Sequence, residues 1–82
     1  MANRRMFSLN VVDTDKFLDM PASAQALYFN LGMRTDENGF ISSLGVFKQM
    51  RYELELLEQK GYITKNEFGI YVDGVEVYDG RQ

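Results

Sequence analysis

The sequence predicts a small α+β domain with three helices, one short strand and a C-terminal β-hairpin or meander. A stripe of apolar residues at i, i+3, i+4 and i+7 predicts the central helix. This stripe consists of Ala24, Leu27, Tyr28 and Leu31. Asp73-Gly74 lies between the β-rich runs IYV and VEVY, which is the strongest short hairpin signal. The chain of 82 residues has no linker-like tract or internal repeat, so we expect one domain over residues 1–82.

Composition excludes several classes of function. The chain has no Cys and no His, which removes disulfides, thiolate and imidazole metal ligands, Cys nucleophiles and histidine bases. The sequence also has no Gly-rich phosphate loop, and its paired carboxylates have capping or surface explanations. We therefore expect a protein that is not an enzyme and that binds no cofactor or metal.

Hydropathy and charge bear on location and partners. No apolar run approaches the roughly 18 residues of a membrane span, and MANRRMFSLN lacks the apolar stretch of a signal peptide, so we expect a cytoplasmic protein. Twelve acidic and nine basic residues give a net charge of -3, whereas a dedicated nucleic-acid binder usually carries a basic surplus. A chain this short would gain useful stability from partner contacts or from a homodimer.

The first half predicts an N-terminal arm and two helices. The arm, residues 1–10, is expected to hold Arg4 and Arg5 in water. Asp13 or Thr14 is predicted to cap a first helix that runs through Met20. Its expected buried side consists of Phe17, Leu18 and Met20.

The second helix is predicted over residues 21–34. Pro21 suits its first position, because the missing N–H would have had no partner there. Phe29 and Met33 are expected to widen its apolar stripe. Gly32 inside the helix costs about 1 kcal/mol relative to Ala, so we expect a neighbour packed closely against it.

The second half predicts a turn, a third helix and short strands. Asn38-Gly39 suits a tight turn into the strand Phe40-Ile41. Ser42 or Ser43 is expected to cap a helix that ends at Gly61 in a Schellman motif. YITK, IYV and VEVY are then predicted to form a meander of three strands. The expected core consists of Phe17, Leu27, Leu31, Phe40, Phe47, Leu54, Leu57 and Ile63.

This order of elements resembles the winged-helix arrangement, and residues 4–41 resemble the N-terminal domain of phage replication initiators, the DnaD-like replisome organisers. The residues that carry the resemblance are Arg5-Met6-Phe7-Ser8, Val12-Asp13, Asp15, Phe17-Leu18, Met20-Pro21, Ala26-Leu27-Tyr28-Phe29, Leu31-Gly32-Met33-Arg34, Asp36 and Gly39-Phe40. In that family the domain is similar to winged-helix DNA binders, and the whole protein loads replication machinery on phage DNA. The resemblance implies a phage-encoded DNA-binding module that works in the host cytoplasm.

The chain departs from the family after the first strand. Family members usually carry two short helices there, which form the helix-turn-helix, but residues 42–60 have no Pro and a single Gly, Gly45, and predict one helix. The candidate DNA contacts are Arg4, Arg5, Lys48, Arg51 and Lys65. On the third helix the basic residues are balanced by glutamates, so its polar face is a poor match to phosphates.

The alternative hypothesis is a phage-encoded protein that uses this scaffold to bind another protein, for example as an inhibitor of a host enzyme or of a bacterial defence nuclease, as anti-CRISPR proteins are. The acidic total and the shortened helix-turn-helix region favour it. Its candidate contacts are Glu53, Glu55, Glu58 and Phe68. Phe68 is expected either to fold back on the sheet or to anchor a partner.

Two further patterns have ordinary structural explanations. Asp36-Glu37-Asn38-Gly39 is similar to part of a calcium loop but lacks the leading Asp and the distal Glu, so we interpret it as a turn. Four tyrosines either stack on bases or lie half-buried in a small β-layer. These are Tyr52, Tyr62, Tyr71 and Tyr78.

Overall fold

The computed structural model describes residues 4–42 and 49–78. The elements follow in the order β1 (Arg4–Phe7), α1 (Leu9–Val12), α2 (Asp15–Leu18), α3 (Ala22–Met33), β2 (Phe40–Ile41), α4 (Arg51–Gln59), β3 (Ile63–Asn66), β4 (Gly69–Val72) and β5 (Val75–Tyr78). The predicted α+β class and C-terminal hairpin are confirmed, since β3 and β4 are adjacent antiparallel strands joined by a short turn. Within the described residues, no helix is both long and apolar enough to cross a membrane.

The strands of the described residues form two antiparallel sheets. The larger sheet has the order β2-β4-β3, with Ile41 opposite Ile70 and Ile63 opposite Val72. The smaller sheet pairs β1 with β5, with Phe7 opposite Val75. The two ends of the described chain are therefore joined by main-chain hydrogen bonds.

The predicted three-stranded meander is wrong in its last strand. The chain does turn at Asp73-Gly74, where Gly74 has a φ of 78°, but β5 then pairs with β1. The reason is that β4 has no free edge, because β2 already occupies one side and β3 the other. Ser8 follows β1 and Gly74 precedes β5. The Ser8 N–H donates to the Gly74 carbonyl at 2.8 Å and so extends the pairing of these two strands.

The predicted N-terminal arm also differs from the structure. Residues 4–7 form β1, and the residues after them form the short helix α1, which the sequence did not predict. The Ser8 hydroxyl caps α1 by accepting from the Asn10 N–H at 3.2 Å. The expectation that both arginines lie in water is wrong for Arg5, whose side chain is partly buried.

The first predicted helix is α2. Of its two expected caps, Thr14 is the one observed, since its hydroxyl accepts from the Phe17 N–H at 3.2 Å. Phe17 and Met20 are buried as expected, but Leu18 is 53% exposed, which contradicts the prediction for that residue. α2 ends at Leu18 rather than Met20, so its apolar side is only one turn long.

The central helix α3 buries its predicted stripe, but Phe29 and Met33, which were expected to widen it, are 37% and 55% exposed. Both lie on the other side of the helix, where only the Phe29 ring reaches the aromatic residues Phe7 and Phe17. Every residue of the Ala24, Leu27, Tyr28 and Leu31 stripe is buried. Pro21 is the N-cap, one position before the predicted one. Gly32 does face a close neighbour, because a Cβ built there would lie 2.4 Å from Cε1 of Phe7. β1 therefore packs directly on the helix backbone.

Helix α4 ends in the predicted Schellman motif. The Tyr62 N–H donates to the Leu57 carbonyl at 2.9 Å, and the Gly61 N–H donates to Glu58 at 3.1 Å. Gly61 has a φ of 86°, a conformation that glycine adopts without steric cost. The predicted start of this helix, with Ser43, Val46 and Phe47, lies outside the described residues, while Ser42 is not helical.

One core joins the helices to the larger sheet. Its buried apolar residues are Phe17, Met20, Ala24, Leu27, Tyr28, Leu31, Ile41, Leu57, Tyr62, Ile63, Ile70 and Val72. Five of the eight predicted core residues are among them. Leu54 is only partly buried and packs against this core, and Phe40 is half-buried on the opposite face of the sheet. Phe47 lies outside the described residues.

Candidate interaction surface

The structure describes the side chains of three predicted DNA-binding residues, Arg5, Arg51 and Lys65. Arg51 is the exposed first residue of α4, and Arg4 opens β1. Lys48 lies outside the described residues. Arg5 and Lys65 each make a contact within the protein, and these contacts compete with binding of their charged groups to DNA phosphates.

Arg5 is tied to the end of α3. Its Nη2 donates to the Thr35 carbonyl at 2.8 Å, and its Nε is buried without a hydrogen-bond partner. Thr35 is itself buried, and its hydroxyl donates to the Gly32 carbonyl at 2.9 Å. A cation near the last carbonyls of a helix also interacts favourably with the helix dipole. Arg5 therefore has a structural role at the C-terminus of α3.

Lys65 is paired with a member of the alternative acidic set. Its Nζ lies 3.5 Å from Oε1 of Glu58, and both side chains are partly exposed. This contact reaches from β3 to α4 on the inner face of the sheet, where Ile63 also packs. Neither charge is therefore presented alone to a partner.

The three glutamates of α4 have different surroundings. Glu53 is partly buried, Glu58 is paired with Lys65, and Glu55 is exposed. Near the end of the helix, Lys16 donates from Nζ to the Lys60 carbonyl at 2.7 Å. Of the three glutamates, Glu55 is therefore the exposed one for which no ion pair is described above.

The β3-β4 hairpin holds Phe68 in solvent. The ring is 71% exposed, so it does not fold back on the sheet, and of the two predicted alternatives only the exposed one remains. Oδ1 of Asn66 fixes the turn by accepting from the N–H groups of Phe68 at 2.7 Å and Gly69 at 3.1 Å. The sequence analysis did not identify Asn66, although an Asn at the start of a short turn is a recognisable signal.

Gly69 fixes the other side of this turn. Its φ is 151°, and a Cβ built there would lie 2.0 Å from the carbonyl oxygen of Ile41. Only glycine lets β4 approach β2 this closely in that conformation. The backbone of the turn that carries Phe68 is therefore held on both sides, which lowers the entropy cost of ordering this loop when a partner binds.

The outer face of the larger sheet, next to the hairpin tip, carries two further aromatic residues. Tyr71 is 45% exposed and pairs with Phe40 on β2 and with Thr64 on β3, so these three side chains share one face. The Phe40 ring lies across Gly69, since Cζ would be 2.9 Å from a Cβ there. Ile70 and Val72 point to the opposite face, into the core. We call Phe40, Tyr71 and Phe68 the aromatic surface.

Acidic residues border the aromatic surface. Glu67 precedes Phe68 at the hairpin tip, and Asp36 and Glu37 precede Phe40 at the other end of the sheet; all three are exposed. Oδ1 of Asp36 accepts from the N–H groups of Asn38 at 2.8 Å and Phe40 at 3.0 Å, which confirms that this segment is a turn. The rim of the surface is therefore negative.

The remaining tyrosines separate into different roles. Tyr62 is buried, its hydroxyl has no hydrogen-bond partner, and Lys16 lies over its ring at 5.1 Å from the centroid. Tyr52 is exposed on α4. Tyr78 ends β5. Tyr28 is buried, and its hydroxyl donates to the Asp73 carbonyl at 2.5 Å. Burial is the main cause that raises the pKa of this hydroxyl, and Asp73 and Tyr62 raise it further.

Among the described residues, no group of three or more acidic side chains is placed to hold a metal ion. Comparison of the chain with protein-family models, with curated proteins and with solved structures gave no match.

Proposed function

We propose that this protein is a non-catalytic, protein-binding module that presents the aromatic surface of Phe40, Tyr71 and Phe68 to a basic partner. The observation that carries the proposal is the exposed Phe68 ring on a turn held by Asn66 and Gly69. Aromatic anchors held rigid before binding supply much of the affinity of protein interfaces. A negative rim attracts a positive partner surface and accelerates the encounter.

The resemblance to phage replication initiators suggests where such a module acts. On this proposal it is phage-encoded and works in the cytoplasm of the host cell. A partner that itself binds nucleic acid supplies the required chemistry, because its binding face is basic. Inhibition of a host enzyme or of a defence nuclease then follows from covering that face.

The test is a capture experiment with matched variants. The wild-type protein, Phe68→Ala, Tyr71→Ser and the control Tyr52→Ala are each used to capture proteins from host lysate. Tyr52 is also an exposed aromatic residue, but it lies on α4 and outside the aromatic surface. We expect one basic protein to be retained by the wild type and by Tyr52→Ala and lost by the other two variants. Equal capture by all four proteins would refute the proposal.

Weak DNA binding is the second candidate. The exposed Arg51 at the start of α4 favours DNA binding. If the resemblance to phage replication initiators holds, α4 corresponds to the helix that contacts DNA in that family. Arg5 and Lys65 weigh against it, because both make contacts within the protein. Fluorescence anisotropy with duplex DNA should then give weak binding that falls with salt and falls again in Arg51→Ala. DNA binding that is unaffected by salt and by Arg51→Ala would exclude phosphate contacts through Arg51.

A further inference from the structure

Asn38-Gly39 is the single Asn-Gly pair of the sequence, and it lies in the turn before β2. The other asparagines all precede residues that carry a Cβ; they are Asn3, Asn10, Asn30 and Asn66. Asn38 is exposed, and among the described residues no hydrogen bond holds its side chain. Because Gly39 has no Cβ, its backbone nitrogen can approach the side-chain amide carbon of Asn38 without steric hindrance.

We propose that Asn38 is a site of spontaneous deamidation and that the turn built on Asp36 sets its rate. In this reaction the Gly39 nitrogen loses its proton and attacks Cγ of Asn38. A bond forms between these two atoms, the bond from Cγ to the side-chain nitrogen breaks, and ammonia leaves with the proton. Water then opens the five-membered succinimide at either carbonyl, which gives aspartate or isoaspartate. Water is the only co-reactant, so the reaction requires no enzyme, oxidant or cofactor.

The folded turn withholds the nitrogen that must attack. The Gly39 N–H donates to the Asp36 carbonyl at 2.9 Å. Oδ1 of Asp36 also accepts from the N–H groups of Asn38 at 2.8 Å and Phe40 at 3.0 Å, so one residue holds the turn through its backbone and its side chain. Gly39 is buried at a φ of 79°, and Cε1 of Tyr71 would lie 3.2 Å from a Cβ there. Ring closure therefore requires local opening of the turn.

Local opening links deamidation to hydrogen exchange at the same backbone N–H. Both reactions require the Gly39 N–H to be released from the Asp36 carbonyl. A turn closes far faster than deamidation proceeds, so the native rate is the open-state rate multiplied by the fraction of open turns. We therefore expect folding to slow deamidation of Asn38 by at least the factor by which it slows hydrogen exchange at Gly39.

The two products change the turn differently. Aspartate at position 38 adds one negative charge beside the exposed Glu37. Isoaspartate carries the main chain through the former side chain, so the backbone before Gly39 gains one atom. That atom shifts Gly39 relative to Asp36 or to Val72, whose N–H donates to the Gly39 carbonyl at 2.8 Å. Isoaspartate should therefore lower the melting temperature by loosening β2, whereas Asn38→Asp should leave it nearly unchanged.

Peptide mass spectrometry during incubation at mildly alkaline pH measures the conversion at each asparagine. In urea, Asn38 should convert faster than the other asparagines, and in the native protein it should convert at least tenfold more slowly than in urea. Asp36→Ala removes the side-chain acceptor and should accelerate the native conversion at least about fivefold, with little effect in urea. Glu37→Ala removes the same charge from the same turn without removing a described hydrogen bond, and should change the native rate less than twofold.

Asp36→Asn keeps an accepting Oδ1 and should convert more slowly than Asp36→Ala, which keeps the test decisive if Asp36→Ala unfolds. Hydrogen exchange at Gly39, measured by NMR, should follow the same order of variants. A native wild-type rate equal to the rate in urea, or equal native rates for the wild type and both Asp36 variants, overturns the role of the turn. Conversion in urea that does not favour Asn38 overturns the site itself. These measurements involve no partner, so their outcome is independent of what the aromatic surface binds.

Discussion

Lys65 on β3 and Glu58 on α4 form an ion pair, with Nζ 3.5 Å from Oε1. The sequence places Lys65 among the candidate DNA contacts and Glu58 among the candidate acidic contacts. The two opposite charges are adjacent, so the pair carries no net charge. The pair links the hairpin to the helix while withdrawing one residue from each predicted surface.

Breaking this pair should have little effect on stability. Both side chains are partly exposed, so solvent screens the attraction, and exposed pairs contribute about 0 to 1 kcal/mol. Urea unfolding of Glu58→Gln, Lys65→Met and the double variant should give a coupling free energy within that range. Glu55→Gln, on the same helix, is the matched control. A coupling of several kcal/mol would show that the pair is a main support of the hairpin.

Leucine-to-alanine changes at two positions should separate core from surface. Leu31 is fully buried on α3, whereas Leu18 at the end of α2 is 53% exposed. Leu31→Ala should lower the free energy of unfolding by about 2 to 5 kcal/mol, because it removes buried apolar area and leaves a cavity. Leu18→Ala should lower it by less than about 1 kcal/mol. Similar denaturant midpoints for the two variants would contradict the packing described for α3.

Gly32→Ala should destabilise the protein although alanine favours helices. Propensity alone would stabilise α3 by about 1 kcal/mol. The new Cβ would instead lie 2.4 Å from Cε1 of Phe7 and 3.1 Å from Cγ2 of Val75, so the Phe7 ring must move away from the helix. Overpacking of this kind costs about 1 to 3 kcal/mol.

A second substitution tests the cause of this loss. Phe7→Leu should destabilise the parent protein by removing ring contacts with Tyr28 and Phe29. It should cost less in the Gly32→Ala background, because the clash is relieved. Strictly additive melting shifts would mean that the Phe7 ring is not what limits position 32.

Alkaline pH should destabilise the fold through Tyr28. Burial raises the pKa of its hydroxyl above the ordinary value of 10.0, with Asp73 and Tyr62 contributing in the same direction. Below pH 10 the hydroxyl keeps its proton in both the folded and the unfolded states, so it does not make the free energy of unfolding depend on pH. Above pH 10 the unfolded chain releases the proton first. Stability should therefore fall as the pH rises from 10 towards the folded-state pKa.

The comparison with Tyr28→Phe isolates this effect. At pH 8 the variant should be less stable by about 1 kcal/mol, because it loses the hydrogen bond to the Asp73 carbonyl. Its melting temperature should then decline less steeply between pH 10 and pH 11.5 than that of the parent. Parallel declines would show that other groups account for the alkaline loss.

Local signals in the sequence predicted local structure well. The buried stripe of α3, the turn at Asn38-Gly39 and the end of α4 at Gly61 all follow from neighbouring residues. The pairing of β5 did not, because Asp73-Gly74 specifies a turn but not the strand that is free to pair afterwards. That choice depends on β2, which lies about thirty residues earlier and occupies the edge of β4.

The candidate site likewise combines features that neighbouring residues predict with features that depend on distant parts of the chain. Phe68 was singled out from its position at a hairpin tip, and its exposure excludes the alternative in which the ring folds back on the sheet. The position of Tyr71 opposite Phe40 was not predicted, because it depends on a strand register that no local pattern fixes. Arg5 was placed in water because arginine is charged. In the structure its guanidinium donates instead to the carbonyl of Thr35, just after the end of α3.

The last prediction concerns how a partner binds the aromatic surface. Phe68→Ala should mainly accelerate dissociation, because it removes the buried anchor without changing the field that steers the encounter. Glu67→Lys with Glu37→Lys should instead slow association with a basic partner and reverse part of its salt dependence, since these residues form the acidic rim. Surface plasmon resonance at low and moderate salt measures both rates.

The matched control for the rim is Glu55→Lys with Glu53→Lys. These residues lie on α4, on the other face of the larger sheet from Tyr71, and carry the same charge change. If the aromatic surface is the contact, the control should alter association less than the rim variant does. If the α4 pair has the larger effect and Phe68→Ala has none, the partner binds the acidic side of α4 instead. The same α4 variant should strengthen binding to duplex DNA if that helix faces phosphate, because it removes two negative charges beside Arg51.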